Sequence, residues 1–211
     1  MSAHILRALK MAQDPGYPVE LNLNGLKVEY AHTRPYRGMK LEDIEILHAL
    51  HEWKVEADYS SAVRLLEPFV RQLEQKEDSL ANRNKYYRPL SYLKEKLLLW
   101  EIKQQVDSVN VGDSVRPYLK KDMLEGVYCD DGRRTYYWEG NQMINTLIAY
   151  RIIKNDPSLC KLKENMQLYI LRTKERGWNT YQASSAVATV LTDLHVCADL
   201  IKDLLKEYAI R

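Results

Sequence analysis

The chain of 211 residues lacks several features that would narrow its function. Its cysteines are few and odd in number, so they cannot all pair internally, and none lies in a CxxC or Cys/His arrangement. Lys and Arg number 31 against 29 Asp and Glu, and the two signs are interspersed, so the basic patch typical of nucleic-acid binding is missing. We expect no nucleic-acid partner, and buried free thiols at Cys129, Cys160 and Cys197.

Membrane, secretion and nucleotide-binding signals are missing as well. No stretch approaches the roughly 20 consecutive apolar residues of a membrane span, and Met1 to Met11 lacks the hydrophobic run of a secretory signal. No GxGxxG, GxxxxGK[ST] or GxSxG motif occurs, which excludes the usual phosphate cradles and nucleophile elbows. The compartment stays open, because the chain is either cytoplasmic or a segment of a larger secreted protein.

What the sequence does contain is a series of amphipathic helices. Apolar spacing predicts them around Ile5 to Leu9, over Leu41–Val55, Tyr59–Leu73, Leu90–Val106, Val115–Met123, Asn141–Lys154 and Ser158–Thr173, and from Thr180 onward. Asp58 is a candidate N-cap for the helix that follows it. Pro68 is expected to kink that helix or to end a turn there. The helices pair with a period of about 40 to 50 residues, which is typical of α/α repeat arrays.

Three stretches depart from the helical pattern. Leu21–Tyr30 alternates around Asn24-Gly25, which is a strong signal for a β-hairpin. Val127–Trp138 is expected to form a second hairpin that turns at Asp131-Gly132. The polar segment Lys76–Pro89 is interpreted as a long surface loop or a frayed helix end. The sequence therefore predicts one or two small ribbons between helices.

Aromatic residues are concentrated in two glycine-containing loops, each of which opens onto a helix. The chain has 15 tyrosines and 4 tryptophans but one phenylalanine, and tyrosine and tryptophan suit half-buried surfaces. The loops contribute the candidate binding residues Tyr136, Tyr137, Trp138, Trp178 and Tyr181. In the alternative interpretation, each tryptophan fills the junction between neighbouring helix pairs and binds no partner.

Three carboxylates cluster near the first aromatic loop. Asp130, Asp131 and Glu139 next to Trp138 would suit glycoside hydrolysis, in which one carboxyl group acts as acid and another as base or nucleophile. A carbohydrate-active enzyme with a helical barrel is therefore the alternative function. In the simpler interpretation, Asp131 begins a turn and Glu139 stabilises the next helix N-terminus.

Two histidines one turn apart raise the question of a metal site. His48 and His51 lie beside Glu45 and Glu52, and two imidazoles with a carboxylate can hold zinc. The order HALHE is not the HExxH motif of zinc proteases, and His51 lies within an apolar stripe. We therefore expect packed histidines that bond to their neighbours, with no metal and no cofactor.

A further pattern runs through the second half of the chain. Tyr137-Trp138 precedes the helix that contains Asn145–Tyr150, Asn155-Asp156-Pro157 follows, and Gly177–Val187 then combines a tryptophan with small residues. In these features the segment 136–194 resembles the α/α-toroid, or thioester, domain of the alpha-macroglobulin family. Leu6–Val19, with Gly16-Tyr17-Pro18-Val19 at its end, is similar to another hairpin of that domain. None of the cysteines lies in the family's Gly-Cys-Gly-Glu-Gln motif, so the resemblance does not extend to a thioester.

The resemblance and the helical pattern lead to one set of expectations. The fold is all-α, with α/α hairpin repeats forming a partial toroid over residues 1–211 as a single domain. The resemblance implies a non-enzymatic interaction or scaffold domain of a cell-envelope protein from this endopeptidase-inhibitor family, located outside the cytoplasm. Its implied partners are other domains of the same polypeptide or a protease. The seam over Val187–Tyr208 is either the last wall of the domain or a weak dimer contact.

Overall fold

A computed structural model describes residues 39–135 and 142–173, together with Lys10 and Val190. Within these residues the chain forms helices α1 (Leu41–Glu52), α2 (Tyr59–Arg83), α3 (Leu93–Asp107), α4 (Gly112–Val115), α5 (Gln142–Ile153) and α6 (Cys160–Thr173), and strands β1 (Leu119–Lys121) and β2 (Val127–Cys129). The prediction of a mainly helical fold with a small antiparallel ribbon is confirmed. None of the described helices is long and apolar enough to cross a membrane.

Helix α1 starts where the sequence predicts and ends three residues earlier. The Asp43 carboxylate accepts a hydrogen bond from the Lys40 backbone N–H at 2.9 Å, which satisfies one of the free donors at the helix start. Ile44, Leu47 and Leu50 are buried on its inner side. The helix stops at Glu52 because Lys54 adopts a left-handed backbone conformation with φ 55°, which no helix can continue through.

Helix α2 begins at the predicted cap and runs through the proline. The Asp58 carboxylate accepts from the Ser61 N–H at 3.0 Å. Pro68 lies inside the helix, and α2 continues ten residues beyond the predicted end at Leu73, to Arg83. Proline removes one hydrogen-bond donor from the ladder, while the buried stripe that includes Leu66 and Val70 lies on both sides of it.

The expected loop over Lys76–Pro89 is partly helical. The last turns of α2 extend to Arg83, and the chain leaves the helix at Asn84. Glu77 is buried there and accepts hydrogen bonds from the Tyr87 hydroxyl at 2.7 Å and from the Leu90 N–H at 2.8 Å. This carboxylate ties the returning chain back to the helix, which stabilises both.

Helix α3 lies at the centre of the described structure. It contacts α1, α2 and α5. Its buried residues cover most of its circumference and include Leu93, Leu97, Leu98, Leu99 and Ile102. A helix that is apolar on most sides must be surrounded by other elements. Helix α3 is therefore the element against which α1, α2 and α5 pack.

The ribbon differs from the predicted hairpin. The helix expected over Val115–Met123 is wrong beyond Tyr118, because Leu119–Lys121 is strand β1 and pairs antiparallel with β2. The strands turn at residues 122–126, where the Asp122 carboxylate accepts from the Leu124 and Gly126 N–H groups at 2.8 and 2.7 Å. The strand Val127–Cys129 therefore pairs with the preceding residues, so the predicted turn at Asp131-Gly132 is not the hairpin turn.

Helices α5 and α6 form a hairpin across a short connection. The Asp156 carboxylate accepts from the Ser158 N–H at 2.9 Å, so the predicted Asn-Asp-Pro turn is confirmed. Several predictions lie outside the described residues: the helix around Ile5 to Leu9, the hairpin Leu21–Tyr30, the helix from Thr180 and the seam Val187–Tyr208.

Candidate functional site

A buried network of charged side chains joins three helices in the core. His48 on α1 donates from Nε2 to Glu101 Oε2 on α3 at 2.8 Å. Arg151 on α5 donates from Nε to Glu101 Oε1 at 2.7 Å and from Nη2 to Glu101 Oε2 at 2.8 Å. His48 is 2% exposed and Glu101 is 6% exposed. The central carboxylate is thus held by a two-pronged arginine contact and an imidazole, both far away in sequence.

The electrostatics of this network favour an ionised carboxylate. Burial alone would raise the pKa of Glu101. The positive charge of Arg151, the neighbouring His48 and the hydrogen bonds from both outweigh burial and hold that pKa well below its usual range. Glu101 is therefore ionised in the folded protein at neutral pH.

The bond between His48 and Glu101 resembles the pairing of a catalytic histidine with the carboxylate that orients it. His48 is far less exposed than a catalytic histidine would be. A general base must reach its substrate directly or through one water. The second nitrogen of His48, Nδ1, lies 3.6 Å from Glu52 Oε2, and the side chain is almost fully covered. The arrangement fixes α1, α3 and α5 against one another, because one carboxylate can satisfy both donors in only one geometry.

The predicted pair of histidines separates into two environments. His48 is packed and bonded to its neighbours, as expected. His51 lies edge-on to the Tyr59 ring, with 4.9 Å between the ring centroids. Burial and the nearby His48 lower the pKa of His51. The described residues contain no group of three or more His, Cys, Asp and Glu side chains arranged to hold a metal ion.

Asp130 and Asp131 serve the turn in which they lie. Asp130 Oδ1 accepts from the Gly132 N–H at 3.1 Å, and Asp131 Oδ1 accepts from the Arg133 N–H at 3.0 Å. Gly132 has φ 75°, a backbone conformation that glycine adopts without strain. The other Asp131 oxygen accepts from the Ser91 hydroxyl at 2.7 Å. The third carboxylate of the predicted set, Glu139, lies outside the described residues.

The turn at residues 130–134 is anchored to the loop between α2 and α3. Leu90 and Arg134 form a parallel β-bridge, in which the Ser91 N–H donates to the Arg134 carbonyl at 2.7 Å. The Arg133 guanidinium lies 2.9 Å from Asp78 on α2. The main chain is therefore fixed by these contacts just before it enters the first aromatic loop.

The residue that follows segment 136–141 also contacts the turn at residues 130–134. Gln142, the first residue of α5, reaches Asp130 Oδ2 with its amide nitrogen at 3.4 Å, and its oxygen accepts from Tyr169 at 3.4 Å. Both flanks of segment 136–141 are thus connected to one turn. The candidate residues themselves, Tyr136, Tyr137, Trp138, Trp178 and Tyr181, lie outside the described residues.

Sequence reasoning missed the partners of His48. Glu101 and Arg151 lie 53 and 103 positions away from it, so no local motif connects them. The available signal was a charged residue next to a run of large apolar residues, as in Leu98–Glu101 and Ile148–Arg151. A charged residue that interrupts an apolar run indicates a buried charge, because charged side chains are rarely buried on a covered helix face unless they are paired.

The cysteines divide into two kinds, which corrects the expectation that all are buried. Cys129 on β2 is fully buried, and Cys160 at the start of α6 is exposed. Burial raises the pKa of the Cys129 thiol to about 12, with the charges of Asp130 and Asp131 adding to the effect. Cys160 is exposed because it begins α6 directly after a surface turn. Cys197 lies outside the described residues.

Alkylation should therefore separate these two thiols. In native protein at pH 8, we expect iodoacetamide to modify Cys160 readily and to leave Cys129 unmodified, because the thiolate is the reactive form. Peptide mass spectrometry reads each cysteine separately, and protein unfolded in urea gives the full modification of both. Equal native rates at Cys129 and Cys160 would contradict the described burial of β2.

Comparison with known proteins does not assign the chain to a family. No protein-family model, no curated protein and no solved structure matches the chain. The function proposed below therefore depends on the residues of this chain and on their geometry.

Proposed function

We propose that the chain is a non-enzymatic interaction or scaffold domain of an alpha-macroglobulin-like protein. The observation that carries the proposal is the anchoring of both ends of segment 136–141, at the Leu90–Arg134 bridge and at Gln142. A loop fixed at both ends on a helical framework suits the presentation of side chains to a partner. Tyr136, Tyr137 and Trp138 are the residues so presented.

The finer parts of the proposal follow from the resemblance. The hairpin of α5 and α6 and the packing of α2 on α3 fit an array of helix pairs, and the proposed closure of that array is a partial toroid. The second aromatic loop, with Trp178 and Tyr181, belongs to the same surface. The proposed partners are other domains of the same polypeptide or a protease, in a compartment outside the cytoplasm.

A photo-crosslinking amino acid at Tyr137 tests the interaction in cells. We expect a discrete protein adduct when the protein is expressed at its normal level in the organism that encodes it. The matched control is the same amino acid at Tyr86, which is 84% exposed on the described surface. An adduct that mass spectrometry identifies as another domain of the polypeptide or as a protease supports the proposal. Identical adducts at both positions would overturn it.

Unfolding experiments separate binding from packing at the two tryptophans. For the presented-surface role, Trp138→Ala and Trp178→Ala should change the free energy of unfolding by less than about 0.5 kcal/mol and abolish the adduct. A loss of about 3 to 5 kcal/mol would instead assign both residues to the junctions between helix pairs.

Glycan hydrolysis that disappears in Asp131→Asn would favour the carbohydrate-active alternative.

A further inference from the structure

Two surface turns that are far apart in sequence meet beside the end of α2. The first covers residues 84–87, and its Tyr87 N–H donates to the Asn84 carbonyl at 2.8 Å. The second covers residues 130–134, and its Arg134 N–H donates to the Pro89 carbonyl at 3.1 Å. The two turns therefore contribute to one part of the surface.

Basic side chains dominate what these segments expose. Arg83, Lys85, Arg88 and Arg134 are all exposed. Among the residues that the structure describes, no carboxylate forms an ion pair with any of the four. Sequence reasoning missed this cluster, because two distant segments supply it. We call Arg83, Lys85, Tyr86, Arg88 and Arg134 the basic surface.

The carboxylates of the same segments are engaged within the fold. Glu77 is 7% exposed and accepts two hydrogen bonds. Asp78 lies 2.9 Å from the Arg133 guanidinium. The two aspartates of the second turn accept backbone N–H groups of that turn. An anionic partner can therefore contact the basic surface without breaking an existing ion pair.

Tyr86 adds an aromatic ring to these charges. It is 84% exposed, and Lys85 Nζ lies 5.5 Å from its ring centroid. Its main chain is fixed, because the Tyr86 N–H donates to Asn84 Oδ1 at 3.0 Å. An exposed ring presents an apolar face with a defined geometry, against which the apolar face of a sugar ring can pack.

This combination favours an acidic polysaccharide over other anionic polymers. Three of the four cations are guanidinium groups, which bind sulfate and carboxylate groups in a two-pronged geometry. Proteins that bind single-stranded nucleic acid stack successive bases on several aromatic rings, whereas the basic surface contains one ring. An acidic peptide would use the charges and leave the ring without a matching sugar face.

We propose that the basic surface binds an acidic polysaccharide. Its anionic groups accept hydrogen bonds from the four cations, and one of its sugar rings packs on Tyr86. The proposal does not depend on the function proposed above, because no residue of segment 136–141 belongs to the basic surface.

A heparin hexasaccharide is the probe, because it carries sulfate and carboxylate groups on a sugar chain. Titration calorimetry on the full chain should show saturable binding that weakens as the salt concentration rises. An oligothymidylate and an oligoglutamate of the same charge should each bind at least about fivefold more weakly, since neither places a sugar face on the ring. Absence of saturable binding, or equal binding of either comparison polymer, would overturn the proposal.

Substitutions assign the binding to the named side chains. Arg88→Gln combined with Arg134→Gln should weaken hexasaccharide binding at least about tenfold, because it removes hydrogen bonds to charged groups. The matched control combines Arg64→Gln with Arg71→Gln, two exposed arginines of α2 outside the basic surface, and should leave binding nearly unchanged. Tyr86→Ala should weaken hexasaccharide binding about fivefold and leave oligoglutamate binding unchanged. Equal losses in the two double variants would mean attraction by net charge alone and contradict the proposal.

Discussion

Glu101→Gln should destabilise the protein by about 3 to 5 kcal/mol, because it leaves buried donors without their ionised partner. The substitution keeps the size of the side chain but removes the charge that the Arg151 guanidinium contacts at 2.7 and 2.8 Å. It also exchanges an oxygen acceptor for an amide donor next to His48 or Arg151. Urea unfolding monitored by circular dichroism measures the change.

The same substitution at an exposed pair provides the control. Glu125 lies 3.4 Å from Lys121, and both side chains are more than half exposed, at 75% and 67%. Exposed pairs contribute little, so Glu125→Gln should change the free energy of unfolding by less than about 1 kcal/mol. Similar losses at the two positions would show that Glu101 does not join the three helices.

The pH dependence of stability gives a second measure of Glu101. Its folded pKa is held below the ordinary value of 4.5, so the unfolded chain binds its proton at a higher pH than the folded one. The stability that Glu101 contributes is therefore complete above about pH 5 and declines as the pH falls below about 4. The Glu101→Gln variant lacks this titrating group, so its free energy of unfolding should not show this decline. The difference in free energy of unfolding between the wild type and Glu101→Gln should therefore become smaller as the pH falls below about 4.

Local signals in the sequence predicted the helices that show apolar periodicity, together with the cap and the turn at which two of them begin. Asp58 was identified as a cap because an aspartate directly before an apolar stripe is a typical N-cap, and its carboxylate accepts from the Ser61 N–H three residues on. The Asn-Asp-Pro turn was identified from its residue types, and the Asp156 carboxylate accepts from the Ser158 N–H two residues on. In both cases, a single short-range hydrogen bond determines the local structure.

The errors arose where spacing alone was ambiguous. Val115, Leu119 and Met123 follow one another at four-residue steps, which mimics a helix face. The structure instead places Leu119 on β1 and leaves Met123 fully exposed at the ribbon turn. The Asp122 contacts to the turn N–H groups make the ribbon possible, and apolar periodicity carries no information about them.

The end of α2 was missed for the opposite reason. Its last turns are polar, so they show no apolar stripe, and their helical structure depends on contacts with the returning chain. Glu77 bonds to Tyr87 and Leu90 from 10 and 13 positions away. The Glu101 network depends on still longer separations. Such tertiary contacts determine which charged side chains are buried. Patterns over short stretches of a single sequence carry no information about these contacts.

The central position of α3 can be tested by removing one of its side chains. Leu97 is completely buried, and its helix contacts α1, α2 and α5. Leu97→Ala should lower the free energy of unfolding by about 2 to 5 kcal/mol, because the lost apolar contacts leave a cavity that helices on several sides cannot fill by moving. Urea unfolding with an unchanged denaturant slope would show that the loss lies in the folded state.

Leu124→Ala is the matched control for this core substitution. Leu124 is 62% exposed at the ribbon turn, so the same truncation should cost less than about 0.5 kcal/mol. The ratio between the two losses measures how strongly α3 is enclosed by its neighbours. A loss at Leu97 below about 1 kcal/mol would mean that the packing relaxes around the missing side chain. In that case α3 would not be the fixed centre on which the Glu101 network depends.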